Sequence, residues 1–173
     1  ELYTDAIRGD TSFIYIDSLK FINDSGCQQY PDINTITQFD YRTFENLFVS
    51  SGPVVLQVTG YQSSVITGFQ SNLVIVEGDA ALQWSLSYDF GGSDLDYDAE
   101  FFDLNYVRND LYSGDPVYPV SGRLSLTMII TDYSWDGSPT TYWYFTIIFN
   151  EDDYHIHVES GDYFWNWNVL YGG

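Results

Sequence analysis

The sequence predicts an all-β protein: an antiparallel β-sandwich or closed barrel of about 8–10 strands, with one short helix near residues 40–50. Three observations carry this. Apolar residues recur with a period of two after Pro53, the spacing of a half-buried strand. Turn dipeptides punctuate the runs at Asp136-Gly137 and Gly161-Asp162. The acids are 19 Asp against 6 Glu, and Asp competes with a helical backbone for hydrogen bonds while suiting turns and strand ends.

Taken in order, residues 1–52 read as an irregular N-terminal segment holding one strand-like piece, Thr11–Ile16, and the short helix. Asp40 would cap that helix, and Phe44, Leu47 and Phe48 would form its apolar stripe. Gly52-Pro53 would end it. Residues 53–173 read as antiparallel hairpins. Val54–Thr59 opens the series, and Leu73–Val76 leads to Gly78-Asp79, read as a two-residue turn. Leu82, Trp84, Leu86 and Tyr88 then alternate with Gln83, Ser85 and Ser87. Leu124, Leu126, Met128 and Ile130 repeat the pattern, as do Trp143, Phe145, Ile147 and Phe149. Tyr154, Ile156 and Val158, and finally Tyr163, Trp165, Trp167 and Val169, close the series. With no linker or repeat in sight, residues 1–173 form a single domain, the expected size for one core.

The charge excludes several functions. Five Lys and Arg stand against 25 Asp and Glu, for a formal charge of -20. Too few cations remain to displace counterions from nucleic acid, or to hold an anionic membrane surface. No apolar run reaches the roughly 18 residues of a spanning helix, so membrane insertion is not expected. The same acidity suits salty water or divalent cations, which screen it. A secreted or cell-surface protein whose signal peptide has been removed fits this composition. The single cysteine, Cys27, excludes an intramolecular disulfide and reads as a small buried hydrophobe.

Three constellations could carry chemistry. Asp94, Asp96, Asp98 and Glu100 alternate along one segment. Hard oxygen ligands clustered this way suit Ca²⁺, although Ala99 stands where an EF-hand needs Gly. On a strand, His155, His157 and Glu159 share one face, a weaker ligand set for Zn²⁺ or Fe²⁺. A solvated polar face accounts for the same spacing. Rings crowd the C-terminal hairpins, and Trp135, Tyr142, Trp143, Tyr144 and Trp165, with Asn166 and Asn168, form the expected surface for a ligand or partner. A nucleophile elbow and a phosphate-binding Gly-rich loop are absent.

The expected function is therefore structural or adhesive rather than catalytic. The chain would self-assemble into a filament or surface layer, through strand addition or Ca²⁺-bridged acidic faces. The partners are other copies of itself or a surface glycan or protein. A glycan- or small-ligand-binding module using exposed Trp and Tyr is the alternative, and a metal-dependent enzyme the second alternative.

Overall fold

Strands occupy both halves of the described chain, not only the second. The computed structural model describes residues 2–8 (backbone only), 11–30, 32, 34–108, 117–134 and 136–171. Eleven strands run β1 Leu2–Arg8, β2 Thr11–Asn23, β3 Gly26–Gln28, β4 Gln38–Ser51, β5 Val54–Thr67 and β6 Leu73–Tyr88. They continue with β7 Gly91–Val107, β8 Ser121–Tyr133, β9 Thr140–Phe149, β10 Asp153–Ser160 and β11 Tyr163–Leu170. All belong to one antiparallel sheet. Its order is β1-β2-β4-β5-β6-β7-β8-β9-β10-β11, with β3 beside β2 off that path.

The sheet is an open meander, so neither a two-sheet sandwich nor a closed barrel forms. Its path ends at β1 on one side and at β11 on the other. No helix occurs among the described residues, and the segment expected to be helical is β4. The stripe Phe44, Leu47, Phe48 does have helical spacing. It lies, however, among Phe39, Tyr41, Thr43 and Val49, residues that fit a pleated surface better than a helix. Pairing on both sides settles the outcome: β4 takes a full ladder from β2 and another from β5. The N-terminal segment is thus four strands rather than irregular chain.

Gly52-Pro53 is the two-residue loop of the β4–β5 hairpin, with Gly52 at φ 60°. Gly161-Asp162 similarly joins β10 to β11. Gly78-Asp79, in contrast, is no turn: β6 runs straight through it. A Cβ at Gly78 would sit 2.1 Å from the Ser63 carbonyl oxygen. The β6–β7 register slips beside it, between Val76 and Gly78, because β7 carries one extra residue between Phe101 and Leu104. A bulge of this kind bends a strand and sharpens its twist.

Register divides the sheet into two faces. One carries Leu82 and Trp84, Leu95 and Tyr97, Leu126 and Met128, Trp143 and Phe145, Ile156 and Val158, then Trp165 and Trp167. The opposite face carries Gln83, Ser85, Asp94, Asp96, Thr127, Tyr144, His157 and Asn166. Val74, Ala99, Leu104 and Val158 are buried, and all four occupy the first face. Strand-to-strand contacts run between ladder neighbours, so these residues are covered mainly by side chains of the adjacent strands and not by a second layer. That cover is partial, because no large side chain is fully buried among the described residues.

Candidate interaction surface

The C-terminal hairpin places the richest set of exposed side chains. On the inner face, Val158 lies between Phe145 and Trp165 in register and is only 5 % exposed. Trp165 stacks on Trp143 with ring centroids 6.0 Å apart and planes 16° from parallel. Tyr163 continues the row, 6.3 Å from Trp165. Such offset stacks add to what area burial alone contributes. A second ring cluster closes the other end of these hairpins. Tyr171 stacks on Tyr118 at 4.7 Å, tilts against Tyr154, and donates its hydroxyl to the Pro119 carbonyl at 2.8 Å.

The residues expected to form one binding surface are split by the pleat. Trp143 and Trp165 are on the inner face, whereas Tyr142, Tyr144, Asn166 and Asn168 are on the outer face. Trp135 lies outside the described residues. Exposure of the inner-face rings rises toward the edge of the sheet. Trp143 is half-buried, while Tyr163 is 71 % exposed and Trp167 48 % exposed. Among the described residues, β11 is the last strand of the sheet path and pairs only with β10.

His155, His157 and Glu159 do share the outer face. They form a hydrogen-bonded ladder with β11. His155 Nδ1 lies 2.5 Å from Asn168 Oδ1 and His157 Nδ1 2.7 Å from Asn166 Oδ1, while His157 Nε2 meets Glu159 Oε1 at 2.7 Å. Both ring nitrogens of His157 are thus engaged. The Glu159 hydrogen bond, followed by that of Asn166, raises the His157 pKa above its ordinary 6.5. A raised folded-state value means that the interaction is fully present below 6.5 and is lost as pH rises through the folded pKa. In a two-dimensional NMR titration, His157 should titrate above 6.5, and Glu159→Gln should bring it back toward that value. A midpoint unmoved by Glu159→Gln would show that the ladder does not hold the proton.

The four alternating carboxylates occupy the outer face of β7, and the sheet spreads rather than gathers them. Asp94 sits between Ser85 and Thr131, Asp96 between Gln83 and Ile129, and Asp98 between Ala81 and Thr127. Glu100 faces Asp79 across one ladder and Ser125 across the other. Hydrogen bonds from Ser85 and Tyr133 hold the Asp94 carboxyl below its usual range, the Tyr133 hydroxyl reaching Asp94 Oδ2 at 2.5 Å. Among the described residues no three His, Cys, Asp or Glu side chains converge in a metal-holding group. Cys27, expected to be buried, is exposed on the short strand β3. Pairing on one side only leaves that strand uncovered.

One polar island interrupts the inner face, and sequence periodicity gives no sign of it. Tyr15, Asp17, Tyr41, Thr43 and Glu45 come together across β2 and β4, beside Gly60 and Gln62 of β5. Glu45 leans over the bare Gly60, where a Cβ would lie 3.0 Å from Oε1. A hydrogen bond with Tyr15, aided by burial and the Asp17 charge, pushes the Tyr41 pKa up to about 12. Asp17 Oδ1 is buried with no hydrogen-bond partner. Only tertiary pairing brings these residues together, because β2 and β4 meet across the intervening β3 loop.

Fold and surface together define a class: an open, single-layer up-and-down β-sheet with an aromatic inner face, a carboxylate-bearing outer face and, among the described residues, no strand beyond β1 or β11 on its path. Comparison with protein-family models, curated proteins and solved structures returns no match.

Proposed function

We propose that this chain is a non-catalytic, self-associating structural protein of the extracellular or cell-surface environment. One observation supports this above the others: among the described residues, a sheet apolar on one face leaves that face unsealed and its two edge strands, β1 and β11, each paired on one side. A β-sheet with one apolar face becomes stable by packing that face against a further layer, and an exposed, uncharged edge strand is a template for another strand. Copies of the same chain supply both. The acidity sets the condition for assembly. At -20 per chain, copies repel at low salt and approach once the Debye length falls below about 8 Å.

Sedimentation velocity and negative-stain microscopy across protein concentration test this reading. Oligomers should grow with NaCl. Association that instead requires Ca²⁺ at matched ionic strength, and reverses with chelator, would place the contact at the acidic outer faces around Asp94, Asp96, Asp98 and Glu100. A chain monomeric at every concentration and salt would overturn the proposal.

The Trp143–Trp165–Tyr163 row supports a second reading, as a glycan-binding module. Its near-parallel rings at spacings of 6.0 and 6.3 Å offer a platform on which the apolar faces of sugars stack. Binding on a glycan array, lost with Trp165→Ala, would favour it. A blank array would remove it.

A further inference from the structure

We propose that the copies join edge to edge, β11 of one chain pairing antiparallel with β1 of the next, so that a single sheet continues through the assembly. This rests on the self-associating reading above and names its interface. The hydrogen-bond phase at the C-terminal edge shows which backbone groups await a partner. Asn150 N–H donates to the Asp153 carbonyl at 2.9 Å, and Tyr171 N–H to the Asp152 carbonyl at 3.1 Å. Antiparallel ladders alternate between hydrogen-bonded and non-hydrogen-bonded pairs. The β10–β11 register therefore directs the N–H groups of Tyr163, Trp165, Trp167 and Val169 toward β10, and those of Phe164, Asn166 and Asn168 toward the open edge.

Nothing on β11 blunts that edge. Tyr163–Leu170 contains no proline and no charged residue, the devices that natural edges use to refuse pairing. Charge favours the two ends of the sheet over any other meeting point. Within a chain of net charge -20, β11 carries none, and the Asp5 and Arg8 of β1 cancel. The strands also match in length, at 7 and 8 residues. Ten antiparallel strands lie on the sheet path. An even number sets the first and last strands in opposite directions, so the joint is antiparallel like every other ladder in the sheet. A strand added there would cover Tyr163 and Trp167, the most exposed inner-face rings of the C-terminal hairpin. The joint is head to tail, a heterologous contact that closes into a ring or runs on as a filament.

Two experiments test the edge separately from self-association. Asn166→Pro removes an outward N–H without touching the β10–β11 ladder, while Asn166→Ala keeps the N–H and removes only the side chain that contacts His157. Circular dichroism first verifies that both retain the sheet. With one backbone hydrogen bond lost and strand addition hindered, Asn166→Pro should raise the dissociation constant about tenfold or more, and Asn166→Ala should not. In the second experiment, a Cys27→Ser background carries a cysteine at Asp5 in one batch and at Phe164, Asn166 or Asn168 in another. The mixed batches should form disulfide-linked dimers, and neither batch alone should do so efficiently. Association undiminished in Asn166→Pro, with no cross-link from any of the three positions, would overturn the edge joint and leave self-association standing. A monomeric wild type would overturn both. A doubly substituted chain that cross-links only within itself would show β11 closing on its own β1, which also overturns the joint.

Discussion

Replacing Val158 with Asp should abolish the cooperative unfolding transition at neutral pH. Val158 is 5 % exposed, between Phe145 and Trp165 in register, and its neighbours along the inner side of β10 are Ile156 and Ser160. None of these neighbours is a cation that could pair with a new carboxylate. An unpaired buried charge costs several kcal/mol, comparable to the whole stability of many domains of about 5–15 kcal/mol. Burial raises the pKa of the introduced carboxyl, so the penalty should ease as pH falls through that raised value. Val158→Ala, which only removes two methyl groups, should lower stability by about 1–3 kcal/mol. Urea titration followed by tryptophan fluorescence distinguishes the two. A Val158→Asp midpoint equal to that of wild type would show the inner face open to water even at β10, and the burial of Val158 between its neighbouring strands would be wrong.

The second large effect is expected at Gly122. Its φ is 123°, and an added Cβ would lie 2.4 Å from the Asp103 carbonyl oxygen and 2.8 Å from Leu104 Cα. This is where β7 bulges between Phe102 and Asn105, with Asp103 itself at φ 46°. Asn105 ties the bulge together, its Nδ2 donating to the Asp103 carbonyl at 2.6 Å and to Ser121 Oγ at 3.0 Å. Gly122→Ala adds backbone strain to a clash with main chain that cannot rotate away, so a loss of about 2–4 kcal/mol follows. Gly137 provides the control. Its φ of 136° is equally unusual, but nothing lies within 4 Å of an added Cβ, so Gly137→Ala should show the conformational strain alone, about 1–2 kcal/mol. Equal losses at the two positions would mean that the bulge yields.

Much of this architecture was legible in the residues. Leu124–Met128 and, less cleanly, Trp143–Phe149 declare their faces by alternation, because a pleat sends neighbouring side chains to opposite sides. The same rule placed His155, His157 and Glu159 on one face, and Asp94 through Glu100 on one face. It also separates Trp143 from Tyr142 and Tyr144, which is why a list of neighbouring aromatic residues did not amount to one surface. The segment 40–50 misled because three apolar residues matched a helical stripe while the strands that claim it, β2 and β5, lie outside any local window. Gly78-Asp79 misled for a related reason: a glycine in an alternating run signals a turn or a close backbone approach equally well, and the difference lies in whether the strand beyond it stays beside the same neighbours.

By itself the sequence determined that the chain forms antiparallel strands, which side of most of them is apolar, and that the whole is strongly acidic, since period and composition are local properties. Only the tertiary structure decided that ten strands form one open layer instead of two sheets or a closed cylinder. That outcome depends on how twist and the β7 bulge at Asp103 accumulate across the sheet, and on whether the first strand meets the last. Both are sums over the whole meander, and no segment encodes them.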